Sequence, residues 1–320
     1  MGYVAGEKIL DDEYNVFVNS SSSPFGINHI GGTGSADQGL GESDVPVVAV
    51  GGQIKASQWN ALFSAMDTVA GHTGDTITST ATRTAGDPVA VRSALVTNLA
   101  SLSTSVSNGC PSTSAVTTSG VKQTGTSSST WTGVFTTTHT VVFANANKMR
   151  HFFNAGGKIR VYANRTGNGG TGGGATGKDS SWDAIYTALG NLDIGSKAST
   201  RSGSGETVTD NLARGFHDLT TSHQAIIAVA DDTYPYASNN IEVTAKLNAA
   251  VGSATEMEIK MISTDGAADT TFDNPNPQGA DATAYRNGTH THLLKVTSTT
   301  TASLTNAHAE SSTSSSSSTS

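Results

Sequence analysis

Ile241-Glu-Val-Thr-Ala-Lys-Leu-Asn-Ala249 and Glu256-Met-Glu-Ile-Lys-Met-Ile-Ser263 each alternate apolar and polar residues. Successive side chains of an extended chain face opposite ways, so each stretch makes a strand with one buried face and one wet face. Ile241, Val243 and Ala245 then oppose Met257, Ile259 and Met261, and the short stretch Ala249–Thr255 joins the two as a hairpin. Outward from this pair, Phe135–Ala144, Lys158–Ala163, Gln224–Ala230 and His292–Ser298 read as further strands. One helix interrupts them, Ser181–Leu192, with Trp182, Ile185, Tyr186 and Leu189 on one side. Strands dominate without strand–helix–strand alternation. The predicted class is mainly β: an antiparallel, jelly-roll-like β-sandwich over 130–310 with a helical insertion.

The stretch before it predicts a small helical attachment module over 1–75. Asp11 is placed to cap a first helix carrying Tyr14, Phe17 and Val18 on one face. A Gly/Ser-rich connection, Ser20–Gly52, holds the short apolar run Val45–Val50. A second helix over Ala56–Ala70 repeats Trp59, Leu62, Phe63, Met66 and Val69 at threes and fours, and Gly71 stands where it should stop. Residues 76–129 predict a third helix and a linker. Asp87 and Pro88 open that helix, Val91, Leu95, Leu99 and Leu102 form a narrow stripe suited to contact between chains, and Ser107–Ser129 with Pro111 is the linker. The helices before Gly109 have too little sequence around them to cover both sides. Tyr14, Phe17, Trp59, Leu62, Phe63 and Met66 are therefore expected to serve oligomer attachment, with neighbouring subunits supplying cover. Residues 311–320 form a polar tail, expected in solvent or along a partner.

Composition narrows the function. Of 320 residues only 14% are charged, against about 25% ordinarily, and the net charge is −8. Basic residues are scattered, which disfavours nucleic-acid binding. No apolar run is long enough for a membrane span, and Met1–Asn19 lacks the form of a secretory signal. The single cysteine, Cys110, makes no intrachain disulfide and reads as a small packed side chain.

Several strings resemble a family of structural proteins of tailed phages, best represented among cyanophages and marine phages. They are Ile9-Leu-Asp-Asp-Glu-Tyr-Asn15, Gly52-Gln-Ile-Lys-Ala-Ser-Gln-Trp-Asn-Ala-Leu62 and His72-Thr-Gly74, then Arg150-His-Phe-Phe-Asn-Ala-Gly-Gly-Lys-Ile-Arg160, the Trp182 helix, Gly215-Phe-His-Asp-Leu-Thr220 and Tyr234-Pro-Tyr-Ala-Ser-Asn-Asn-Ile-Glu-Val243. The resemblance implies a virion part without enzymatic activity: tail fibre, neck, collar or baseplate appendage. By analogy with phage fibres it implies a homotrimer, with other virion proteins as partners and no cofactor. The chain departs from the pattern at Lys55, where a capping Thr is expected. Within the most specific string, Phe152 and Phe153 are expected to anchor a strand end, Asn154 to Gly157 to turn, and Lys158–Tyr162 to return as a hairpin strand.

The chemistry-bearing residues are few. Gly169–Gly174 lacks the Gly-Lys-Ser/Thr of a phosphate loop, since Gly177-Lys178-Asp179 follows, so Gly167–Gly177 reads as a surface loop. His290 and His292 stand two apart on a strand and face one side. The ordinary expectation is solvent-facing rings; a threefold assembly would instead bring six imidazoles to one metal. Asn287-Gly-Thr289 fits a glycosylation acceptor but reads as a turn. Asp231-Asp232 would have to converge to cleave a glycoside, where neighbours on a strand diverge, and could equally be a turn after the buried run Ile226–Ala230. Tyr234 and Tyr236 are candidates to stack on a host polysaccharide, with Asp265–Gln278 another loop of the right kind. A receptor-binding fibre tip is thus the alternative to a connecting or decorating virion protein, and a virion-attached glycan hydrolase the third class.

Overall fold

A computed structural model describes residues 10–78, 80–87, 92–110, 116–127, 133–166, 177–267, 271–272, 282–283, 289–299, 304 and 309–320. Pro88, Val91, Pro111, residues 167–176 of the expected surface loop, Asn287 and most of 265–278 lie outside them. The chain forms two compact units. A helical unit takes Met1–Thr117, Asn145–Gly157 and Ser298–Ala309; a β unit takes Thr118–Ala144, Lys158–Thr297 and Glu310–Ser320. This replaces the linear division expected at 75/76, 129/130 and 310/311. Two segments from inside the expected sandwich join the helices, and the expected tail joins the sheets.

The helical unit holds α1 (Asp11–Asn19), α2 (Ile27–Ile30), α3 (Ala56–Thr73), α4 (Arg92–Ser107) and α5 (Ala146–Asn154). Asp11 does not cap α1: Leu10 precedes the helix without a side-chain cap, and Asp11, Asp12 and Glu13 place negative charge in its first turn. Helix α3 runs past Gly71 to Thr73 and ends on Gly74, left-handed at φ 79°. At its start Lys55 offers no acceptor, and the Gln58 side chain accepts from the Lys55 N–H at 2.8 Å, half of a capping box. The Asp87 carboxylate closes a turn by accepting from the Thr84 N–H at 2.6 Å; the helix start it is expected to cap lies outside the described residues.

Tyr14, Phe17, Trp59, Leu62, Phe63 and Met66 are all buried in one core with Leu95, Leu99 and Leu102. The expected attachment residues are therefore covered by their own chain, as is the narrow stripe of α4. Ala155 and Leu304 belong to the same core. Most of the cover comes from the helices and connections before Cys110 packing on one another, and the two residues from farther along the chain complete it.

The expected hairpin through Phe152 and Phe153 is the helix α5. The Asn145 side chain caps it, accepting from the Lys148 N–H at 2.9 Å. Met149, Phe152 and Phe153 then recur at helical spacing and are fully buried. The turn falls where expected, with Gly156 at φ 89°.

The β unit is mainly antiparallel sheet, β1 (Val116–Thr118), β2 (Gln123–Ser127), β3 (Gly133–Val142), β4 (Lys158–Thr166), β5 (Leu192–Ile194), β6 (Ser199–Arg201), β7 (Thr207–Asp210), β8 (Gln224–Ala230), β9 (Asn240–Leu247), β10 (Glu256–Asp265), β11 (Thr271–Phe272), β12 (Ala282–Thr283), β13 (Thr289–Thr299) and β14 (Ser312–Thr319). One six-stranded sheet runs β1-β13-β4-β5-β6 with β2 also on β13; the other runs β14-β3-β10-β9-β8-β7. Helix α6 (Gly177–Leu189) lies between β4 and β5 in the chain and buries Trp182, Ile185, Tyr186 and Leu189.

The β9–β10 hairpin forms as its alternation requires. Its register puts Ile259 opposite Ala245 and Met261 opposite Val243, while Met257 meets Leu247 and Ser263 meets Ile241. The expected pairing of three apolar residues with three is thus offset by one pair, which brings a serine into the interior. The polar tail is the strand β14, paired along β3 from Ser312↔Val142 to Thr319↔Phe135. Gly125 of β2 passes close over β3, where any Cβ would lie 2.3 Å from the Thr137 side chain. Gly125→Ala should destabilise the fold by about 1–3 kcal/mol through overpacking, read as a lower urea midpoint; an unchanged midpoint would refute the close approach.

Candidate functional site

The histidines of β13 sit on one face, as the two-residue spacing requires, but that face is the core. His290 and His292 are fully buried. His290 Nδ1 lies 2.8 Å from the Tyr186 hydroxyl, which lies 3.1 Å from Ser263 Oγ. Ser263 Oγ lies 2.9 Å from His292 Nε2, and His292 Nδ1 lies 3.1 Å from Thr137 Oγ1. A hydrogen-bonded chain thus runs from β13 through α6 and β10 to β3. The Phe135 ring stacks on His292 at 4.4 Å, and Trp182 meets His290 edge-on.

Two residues along β3 from Thr137, His139 is also fully buried, and neither ring nitrogen meets a hydrogen-bond partner among the described residues. Burial pushes His139 down to about 4. Burial, and then the neighbouring His139, push His292 down to about 3. Both rings are neutral at pH 7. The solvent-facing expectation is corrected, and so is the threefold metal site: rings enclosed within one copy cannot meet those of others around an axis. Both nitrogens of His292 already face hydroxyls, which leaves it no free ligand atom.

Asp231 and Asp232 converge, because they lie past the end of β8, where a turn is the alternative to a strand. With Glu206 they bring carboxylate oxygens within 4.8 Å of one another. Sequence reasoning missed Glu206, which is distant in the chain. The Asp231 carboxylate accepts from the Thr233 N–H at 2.6 Å, and Glu206 accepts from the Asp232 N–H at 2.9 Å. These bonds build a turn and set no acid against a base across a substrate bond. Nearby, the two tyrosines part: Tyr234 is 88% exposed and Tyr236 only 9%. Only Tyr234 presents a ring to solvent, while Tyr236 packs on Ala267.

Other charges are spent within the β unit. Lys178 and Asp265 pair at 3.0 Å, and Arg165 pairs with Asp179 at 3.2 Å and with Asp183 at 2.7 Å. On the open face of the second sheet, His223 lies 2.8 Å from the Glu258 carboxylate and 2.9 Å from Thr244 Oγ1. Carboxylate, imidazole and hydroxyl stand in the order of a catalytic relay. Lys246 shares the same Glu258 oxygen at 3.3 Å, however, and Thr244 is buried. The group is a cross-strand polar ladder.

In the helical unit, the most specific string of the chain is a clamp. The buried Arg150 guanidinium donates to the carbonyls of Thr33 at 2.6 Å and Gly34 at 3.4 Å, and to that of Gln38. His151 Nε2 lies 2.9 Å from the Thr33 carbonyl, and Asn154 donates to Gly39 at 3.2 Å. One face of α5 thereby holds the loop 33–39 by its main chain. His72 joins in from α3, with Nε2 at 2.9 Å from the Ala155 carbonyl. Two cavities of about 290 and 410 Å³ border this unit, the second lined by Thr33, Gly41, Asn145 to Lys148 and His151. Comparison with protein families, curated proteins and solved structures finds no match to the chain.

Two outcomes test this geometry. The unfolded chain takes up histidine protons below about pH 6.5; the folded chain refuses them at His139 and His292 until about 4 and 3. Stability should therefore fall as pH falls through that window, by about 2 kcal/mol per ring between pH 7 and pH 5. Urea unfolding at the two pH values checks this, and His139→Leu should weaken the dependence. Arg150→Met, which leaves buried carbonyls without their donor, should cost about 3 kcal/mol; a loss within experimental error would sink the clamp.

Proposed function

We propose that this chain is a structural component of a tailed-phage virion (tail fibre, neck, collar or baseplate appendage) that acts as a scaffold in an oligomer and carries no enzymatic activity. The observation that carries the reading is the use made of the Arg150-His-Phe-Phe-Asn154 string. The residues by which the chain most resembles phage structural proteins clamp a loop and build a core, and none is aimed at a reacting atom. The same holds for His72 and the Trp182 helix. The low charge and the Ser/Thr-rich strands suit a protein surrounded by other protein surfaces. The assembly surface is not the set of core aromatics. Among the described residues, Leu10, Val16, Val47 and Val50 are the large apolar ones that the helical unit leaves exposed.

Antibodies raised against the recombinant chain, applied with gold to phage particles that carry its gene, should mark one fixed position on tail, neck or baseplate. Purified particles without the chain would reject the reading. A second reading is favoured by the 88% exposed ring of Tyr234: a fibre tip that stacks on host polysaccharide. On a glycan array this predicts binding that Tyr234→Ala weakens at least tenfold while Tyr162→Ala does not; no glycan bound by the parent chain removes it.

A further inference from the structure

We propose that β14 is an exchangeable strand, and that Ser312–Thr319 of one copy adds to the β3 edge of a second copy of this chain. The inference does not depend on the virion reading.

The way β14 is held carries the argument. None of its residues Ser312–Thr319 is buried, so it contributes no apolar side chain to a core. Its attachment is main-chain pairing to β3 along the whole strand. Ser320 and Val134 exchange both N–H···O bonds, at 2.9 Å each. On the other side, Gln123 of β2 donates to the Thr313 carbonyl at 2.9 Å, and Ser315 donates to the Thr124 carbonyl at 3.2 Å. Gln123 also meets the Thr313 and Ser315 hydroxyls, at 3.1 and 3.2 Å. An address written largely in main-chain groups, with side chains that every copy shares, cannot tell a copy's own strand from a neighbour's identical one.

The β3 edge also needs an occupant. Its residues Phe135, Thr137, His139 and Val141 are fully or almost fully buried, and a bare ten-residue edge would offer a row of open N–H and C=O groups. Among Ser312–Thr319 there is no charge, no proline and no bulge, the features by which strands guard against intermolecular pairing. No tight turn ties β14 to β3 either. The segment before it, Ser298–Ala309, belongs to the helical unit, where Leu304 is buried in the core. A strand delivered from another unit, with little side-chain anchorage, is the kind of element that passes between copies. Reciprocal exchange closes a dimer, and donation in one direction closes a ring.

The test uses the register Ser316↔Thr138. Chains carrying only Thr138→Cys and chains carrying only Ser316→Cys are co-expressed and treated with a short bismaleimide; Cys110 is buried and spared. Exchange predicts a cross-linked species at twice 32.6 kDa, absent from either variant alone. Light scattering adds an independent arm. The parent chain should be oligomeric, and deletion of 311–320 should bring it to monomer with an unchanged far-ultraviolet spectrum. If the deletion unfolds the chain, Ser316→Pro takes its place, since it removes a donor directed at β3. The proposal is overturned if cross-links form only within single chains of the Thr138→Cys/Ser316→Cys double variant while the mixture stays uncoupled. A parent and a deleted chain of equal oligomeric order would overturn it as well.

Discussion

The β unit is organised by hydrogen bonds across its interior, from His290 through Tyr186, Ser263 and His292 to Thr137. Two sheets that bury a face against each other must satisfy every polar group on that face, because an unmet group costs about 1–3 kcal/mol. Here His290, Tyr186, Ser263, His292 and Thr137 satisfy one another, while His139 is the ring among the described residues that stays without a partner. The strands must be in one register and α6 at one height for the chain of bonds to close. A slip of β10 by one residue would carry Ser263 to the opposite face and break the link between Tyr186 and His292. A purely apolar core tolerates more arrangements; a closed polar network selects one.

The helical unit solves a different problem. Its helices α1 to α4 come from the first part of the chain, yet its core is finished by Ala155 and Leu304. The chain therefore crosses between the units five times: after Thr117, Ala144, Gly157, Thr297 and Ala309. Each crossing makes the completion of one unit depend on sequence placed beyond the other. Contacts so distant in sequence slow folding.

For function, the balance lies in how the titratable groups are used. His290, His292, Arg150 and the Asp231 carboxylate are each taken up by a hydroxyl, a carbonyl or a main-chain N–H. The relay-like set His223, Glu258 and Thr244 lies on an open sheet face with Lys246 competing for the carboxylate. Such use makes rigid walls, which is what the virion reading asks of the chain. Among the described residues, the large apolar side chains left exposed are Leu10, Val16, Val47, Val50, Val121 and Tyr234.

Strand identity was legible in the sequence. The alternation of Ile241 to Leu247 and of Met257 to Ser263 specified two strands and their buried sides, because a period of two is a property of the extended chain itself. Helix α3 and the Trp182 helix were legible by their spacing for the same kind of reason. Local spacing does not contain the neighbour. It placed His290 and His292 on one side of β13 but not on the inner side, and it showed the stripe of Trp59, Leu62 and Met66 but not what covers it. It made a hairpin of Phe152 and Phe153, where the Asn145 cap and the carbonyls of 33–39 reward a helix. It also read Ser312–Thr319 as a tail, because a run of serines earns its strand only from the β3 edge beside it. Those outcomes depend on free energies shared between residues far apart in the chain, and only the tertiary structure brings them together.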